Sequence, residues 1–393
     1  MRSTLEVAEI FRRHGPAYAQ ARDGRLGRVE RRVMSAIELC RTSALGGHVE
    51  GCRACGTVHV AYNSCRNRHC PKCQGAAARD WLAASADDLL PVPYFHVVFT
   101  LPAEIAAIAF QNKTVVYGIL FKSAAETLRI IAADPRHLGA GIGLVAVLHS
   151  WGQTLSYHPH LHCIVPGGGP SPDGTRWIAC RPNFFLPVRV LSRLYRRLFL
   201  QALRAAFDAG QLHFFGDIAG LADPQAFVRH LIAADRRDWV VYAKPPFGGP
   251  EQVLAYLSRY THRVAIANSR LVSTEGGKVT FRWRDYRHGR RPRHMTLDAG
   301  EFIRRFLLHT LPDGVHRIRH YGFLANGQRA ARLAACRVLL ADRASQAVVR
   351  TAPATKPTPG PRPCPCCGRP MATITFWYHG QQPPSWAFWN DSS

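Results

Sequence analysis

Two C-x-x-C pairs separated by fourteen residues, Cys52/Cys55 and Cys70/Cys73, narrow what the N-terminal part of this chain can be. Four thiolates at close to a tetrahedral zinc spacing can organise a module too small to build its own apolar core. Nine of the twelve cysteines are clustered: six from Cys40 to Cys73, then Cys364, Cys366 and Cys367. Cys163, Cys180 and Cys336 stand apart. The N-terminus lacks the apolar run of a signal peptide, so the clusters read as metal ligands in a reducing cytosol and not as disulfides. Cys52, Cys55, Cys70 and Cys73 are therefore expected to hold one structural Zn2+. Cys40, His48, Cys65 and His69 suffice for a second zinc in an interleaved arrangement, or serve as buried thiols and phosphate-facing histidines. The Cys364-Pro365-Cys366-Cys367 segment offers half a site, with His379 available to complete a tail zinc.

A second constraint is the stretch Tyr157-His158-Pro159-His160-Leu161-His162-Cys163-Ile164-Val165. Residues i and i+2 of a strand point to one face, so His160 and His162 aim together while Leu161 packs behind them. An H-x-H pair is half of a metal site, and alone it is also what an ordinary surface strand carries. Leu144–His149 reads as the preceding strand, with Tyr157-His158-Pro159 as the turn between two antiparallel partners. Such a hairpin brings Gln153 beside His160 as third ligand, with His149 and His158 as alternatives. A mixed nitrogen and oxygen site suits Mg2+ or Mn2+ acting as a Lewis acid on a phosphate.

About a hundred residues later stand Tyr256 and Tyr260. Gly249-Pro250-Glu251 is a sensible helix start, with proline in the first turn and an acid near the positive end. At i and i+4 the two phenols share one helical face, roughly 5–6 Å apart at Cβ. They are either ordinary amphipathic-helix aromatics or a nucleophile pair. A phenol of pKa about 10 attacks at neutral pH only when a metal polarises its target and cations such as Arg259 and Arg263 stabilise the phenolate.

The charge supports a polyanionic partner: 51 Lys+Arg face 26 Asp+Glu, a net +25. Arg66, Arg68 and Lys72 lie among the cysteines. Arg282, Trp283, Arg284, Arg287, Arg290 and Arg291 fall in a segment where arginines alternate with aromatics. That mixture suits phosphate tracking with base stacking, although a solvated hairpin with Trp283 in the core would read the same way. No apolar run reaches the ~18–20 residues of a membrane helix, and no G-x-x-x-x-G-K-[ST] is present, so no nucleotide cofactor is expected.

Residues 1–82 are expected to form the zinc-binding DNA-recognition module. Tyr94–Leu101 reads as a strand, 103–133 as helix, 185–236 as a helical insertion, and Val264–Val272, Lys278–Trp283 and His294–Leu297 as a meander. The catalytic domain would run over 90–312, a helical extension over 313–352, and a Pro-rich linker with a Cys-containing tail over 353–393.

Taken together, His160-Leu161-His162, Tyr256-x-x-x-Tyr260, the strand Phe95–Leu101, the Cys65–Cys73 segment, Arg305–Pro312 and Arg319–Phe323 resemble the IS91-type transposases, two-tyrosine members of the HUH endonucleases. The resemblance implies an α+β fold: an antiparallel sheet flanked by helices, with the nucleophile helix facing the His-x-His strand, and an N-terminal zinc-binding module. It implies rolling-circle transposition, in which one tyrosine attacks single-stranded DNA at a transposon end. A 5′-phosphotyrosine and a free 3′-OH result, and the second tyrosine serves the next cut. Host replication or helicase factors would unwind the DNA, in the bacterial cytoplasm and at the nucleoid. A replication initiator or relaxase would use the same chemistry. A non-catalytic zinc-dependent DNA-binding protein would share the basic surface without nicking.

Overall fold

The computed structural model describes residues 5–22, 24–244, 252, 265–285, 289, 291–344 and 361–388. In chain order, helices α1 (Val7–Gln20) and α2 (Arg28–Leu39) precede strands β1 (Gly47–Gly51) and β2 (Val58–Tyr62) and helix α3 (Pro71–Ala86). Strand β3 (Tyr94–Thr100), helices α4 (Ala103–Gln111) and α5 (Lys113–Ala133), and strands β4 (Leu144–Trp151) and β5 (Tyr157–Pro166) follow. The short pair β6 (Gly168–Pro170) and β7 (Trp177–Ala179) leads to α6 (Val188–Asp208), α7 (Pro224–Asp235) and β8 (Val241–Lys244). Next come β9 (Leu271–Glu275), β10 (Lys278–Asp285), β11 (Arg291–Asp298), α8 (Ala299–Leu308), β12 (Ile318–Tyr321), α9 (Arg329–Ala344) and β13 (Ala372–Trp377). No described helix is long and apolar enough to cross a membrane.

The chain divides into two compact units, an α+β arrangement with antiparallel sheets and a cysteine-rich N-terminal region, consistent with an HUH core. One unit comprises residues 1–75, 266–304 and 349–393; the other comprises 76–265 and 305–348. The segment 266–304, expected within the catalytic domain, instead joins the unit that contains the N-terminus. So does the tail.

In the second unit a five-stranded sheet runs in the order β12-β4-β5-β3-β8, with every neighbouring pair antiparallel. Its strands alternate up to an irregularity in β4 between His149 and Trp151. Phe95, Val97 and Phe99 of β3, Leu161, Cys163 and Val165 of β5, and Ala146 and Leu148 of β4 turn to one face. There they meet Tyr117, Leu120, Phe121, Ala124 and Leu128 of α5 and Leu191, Tyr195, Phe199 and Leu203 of α6 in the main core. The buried α6 positions recur every four residues, which forms a single apolar stripe on an otherwise basic helix. The opposite sheet face carries the histidines. At its Tyr94/Ile164 end that face is covered by a smaller cluster with Trp177, Phe323, Leu333 and Cys336.

Two expected elements differ. The helix expected over 103–133 is two helices, because the buried Asn112 leaves the helical path and acts as a linchpin. Its amide donates to the Ile108 carbonyl (3.1 Å) and to the His213 carbonyl (2.8 Å), and its oxygen accepts from His213 N (2.7 Å). The insertion over 185–236 is likewise divided, and α7 begins anew with Asp223 capping Ala226 N at 2.7 Å and Pro224 in the first turn.

In the first unit, β1 lies between β2 and β13, and β10 lies between β9 and β11. Val279 and Phe281 of β10 are buried, and Phe281 meets Phe302 of α8 edge-on at 6.0 Å.

Candidate metal centres

His160 and His162 sit on the central strand β5. Across β4, His149 stands opposite His160 and Val147 opposite His162; across β3, Thr100 stands opposite His160 and Val98 opposite His162. Register therefore puts His149, His160, His162 and His96 on one face, while Leu161 is fully buried in the core behind them. The ligand nitrogens of His149, His160 and His162 lie within 4.8 Å of one another. Three imidazoles that close point at one small volume.

The Nδ1 atoms of His160 and His162 are already engaged. His160 Nδ1 donates to the His158 carbonyl at 2.7 Å, so its Nε2 carries the lone pair. His162 Nδ1 lies 2.7 Å from His96 Nε2, and the two rings stack at 4.9 Å. His149 is backed by Trp151, stacked at 4.5 Å. Burial lowers the pKa of His160 to about 4 and that of His96 to about 3. His162 is driven well below the ordinary value, first by burial and then by His149. His160 and His162 are therefore neutral near pH 7, the form that coordinates a metal. Lys244, opposite His96 on β8, brings a cation to the same face.

The expected turn at 157–159 is displaced. Tyr157 already pairs with Trp151, and the reversal occupies Gly152–Ser156, closed by Gly152 N donating to the Ser156 carbonyl at 2.9 Å. Gln153, the expected third ligand, lies in that turn, and the alternative His149 joins the pair. His158 contributes its carbonyl. His96 was not singled out from sequence: its strand was recognisable, but its register against β5 was not. Tyr256 and Tyr260, with Arg259 and Arg263, lie outside the described residues.

The cysteines regroup. Cys40, Cys65, Cys70 and Cys73 form one quartet and Cys52, Cys55, Cys364 and Cys367 another, each with its ligand atoms within 4.8 Å. The expected quartet of Cys52, Cys55, Cys70 and Cys73 is thus split between two sites. In the first, Cys40 Sγ is 3.6 Å and Cys65 Sγ 3.7 Å from Cys73 Sγ. His48 and His69 belong to neither: His48 faces Glu50 (3.5 Å) on β1, and the buried His69 ring contacts Asn67 Oδ1 at 3.1 Å. His379 is likewise absent from both quartets, and the tail pair takes its partners from Cys52 and Cys55.

The basic positions divide as well. Arg66 and Arg68 are exposed, whereas Lys72 is tied to Glu6 (2.7 Å) and to the Cys40 carbonyl (3.3 Å). Arg282 and Arg284 lie on the exposed face of β10. Trp283 turns the other way, toward the side of Phe281, paired with Arg293. Arg291 stands opposite Asp285. Arg287 and Arg290 lie outside the described residues.

A family model described as "Putative transposase" matches residues 143–332, which span β4, β5 and β12. A "Transposase zinc-binding domain" model matches residues 10–101. The chain is 64% identical over 339 residues to "Putative transposase y4qJ" of Sinorhizobium fredii, covering 86% of this chain and 85% of that protein. It is 29% identical over 307 residues to "Transposase for insertion sequence element IS801" of Pseudomonas savastanoi pv. phaseolicola, covering 77% and 72%.

Proposed function

The chain belongs to the IS91-type transposases, and from that premise we propose that it cuts and rejoins single-stranded DNA at transposon ends by tyrosine attack. The observation that carries this reading is the convergence of three imidazoles, within 4.8 Å, on the face of the sheet opposite the main core. His149, His160 and His162 would hold a divalent ion, which when bound would supply Lewis-acid polarisation of the scissile phosphate. The donor set fits a borderline ion better than a hard one, because imidazole is a poor ligand for Mg2+; Mn2+ is the better match of the two.

The protein's own groups do the rest. The His158 carbonyl holds His160 in the tautomer that presents Nε2, and His96 orients the His162 ring through its Nδ1. Lys244 adds positive charge for the phosphate. Tyr256 or Tyr260 attacks phosphorus: a P–O bond to tyrosine forms and the bond to the 3′-oxygen breaks. The result is a 5′-phosphotyrosine and a free 3′-OH. Reversal by a 3′-OH rejoins strands, and the number of phosphodiester-type bonds is conserved, so no nucleotide triphosphate is consumed. Host factors would open the duplex. Zinc in the quartet Cys40, Cys65, Cys70 and Cys73 orders the module that presents Arg66 and Arg68 to DNA.

A single-stranded oligonucleotide carrying an element end tests this. With Mn2+ the protein should become covalently attached to the 5′ end of the fragment downstream of the cut and release the upstream fragment with a free 3′-OH. Tyr256→Phe combined with Tyr260→Phe should abolish the adduct, and its persistence in that variant would defeat the proposal.

A further inference from the structure

Half of the second cysteine quartet lies far beyond the zinc-binding match at residues 10–101. We propose that Cys52, Cys55, Cys364 and Cys367 form a second tetrathiolate zinc site, a clasp that fastens the tail to the N-terminal module. The inference stands independently of the DNA chemistry.

The two halves are local copies of one another. Each reads C-x-x-C-G: Cys52-Arg53-Ala54-Cys55-Gly56 and Cys364-Pro365-Cys366-Cys367-Gly368. In each, the glycine N–H returns to the first cysteine's carbonyl, Gly56 to Cys52 at 2.9 Å and Gly368 to Cys364 at 2.9 Å. In each, the first cysteine's N–H reaches the carbonyl five residues on, Cys52 to Thr57 at 2.9 Å and Cys364 to Arg369 at 2.7 Å. The glycines adopt φ +72 and +73, which side chains other than glycine rarely tolerate. Two unrelated surface turns have no reason to share a backbone this closely. Paired metal-binding turns do.

The sulfurs meet crosswise, Cys52 with Cys367 at 3.4 Å and Cys55 with Cys364 at 3.5 Å. Disulfide sulfurs would be about 2.0 Å apart. Four sulfurs around a zinc at Zn–S of about 2.3 Å stand roughly 3.8 Å from one another. The observed contacts are far beyond a disulfide bond and within a few tenths of an ångström of a tetrahedral cage, and all four sulfurs lie within 4.8 Å of one another. The apolar packing beside it is slight, with Met371 joining Cys52 and Cys364, so a metal is the natural source of the stability that orders the tail. Once held, the tail contributes β13, which pairs along β1 from Gly47–Trp377 to Gly51–Ala372 and seats Trp377 against Val49.

Cys366 provides an internal standard, since it is exposed and lies between two ligands yet outside the quartet. Cys55 and Cys367 are also exposed, so only a bound metal can shield them from alkylation. The full-length protein, purified without chelator, should show Cys55 and Cys367 alkylating at least about tenfold more slowly than Cys366. A zinc chelator should erase that difference. By elemental analysis, Cys364→Ser combined with Cys367→Ser should carry one zinc fewer per chain than the wild type. Equal labelling of Cys366 and Cys367 in the untreated protein would overturn the clasp, as would iron in place of the lost zinc. Should the double variant fail to fold, the labelling pattern of the wild type decides alone.

Discussion

Replacing His96 by leucine tests the proposed catalytic metal site without touching a ligand. His96 Nε2 sits 2.7 Å from His162 Nδ1 on a buried sheet face, and this contact occupies the Nδ1 side of His162 and orients its ring. Leucine fills a similar volume but cannot hydrogen-bond. A buried hydrogen bond removed from one side costs about 1–3 kcal/mol, which at about 1.4 kcal/mol per decade corresponds to roughly 5–150-fold in binding. Outer partners of metal-bound histidines typically contribute 10–100-fold. Mn2+ affinity of the DNA-free protein, read as free Mn2+ by electron paramagnetic resonance, should therefore weaken about 10–100-fold. His96→Gln, which retains a hydrogen-bonding group, should recover much of the loss. A His96→Leu protein with a wild-type thermal melt and unchanged Mn2+ affinity would refute the reasoning.

Two further outcomes concern the scaffold. Leu161 is fully buried immediately behind the histidine pair, so Leu161→Ala should destabilise the protein by about 2–5 kcal/mol in urea unfolding, with loss of nicking following from unfolding. His309 is buried, donates from Nε2 to the Leu155 carbonyl at 3.2 Å and lies 3.2 Å from Ser150 Oγ; burial lowers its pKa to about 3. Its depressed pKa means that the unfolded state takes up the proton first. Its contribution is thus complete above about pH 6.5 and is lost as pH falls toward 3, with a slope approaching ~1.4 kcal/mol per pH unit. His309→Gln should flatten the acid side of the stability curve by about one proton, and an unchanged slope would exclude His309 as its source.

The histidine strand was legible because alternation is a local property. With Leu161 inside, His160 and His162 had to share the other face. Which residue stands opposite His160 was not legible, since it depends on where the hairpin turns. Starting β5 at Tyr157 instead of after Pro159 moves the reversal to Gly152–Ser156 and brings His149, not Gln153, opposite His160. The cysteine pairs were recognisable as half-sites from their spacing. Their grouping was not, because the partners of Cys52 and Cys55 stand more than three hundred residues away and nothing local distinguishes them from Cys70 and Cys73. Asn112 broke an expected helix through bonds to His213, again a distant partner that no periodicity announces.

The pairing of β1 with β13 also sets a timetable. The chain is made from its N-terminus at about 5–20 residues per second, so β1 waits roughly a quarter of a minute to a minute for its neighbour. Throughout that interval the ribosome holds a nascent chain whose first sheet has an open edge, the kind of surface that recruits other strands. A message cut short between residues 321 and 372 yields a polypeptide that holds every strand of the histidine sheet but lacks the neighbour that closes its first one. The edge of the first sheet is thereby closed only when the last described strand has emerged.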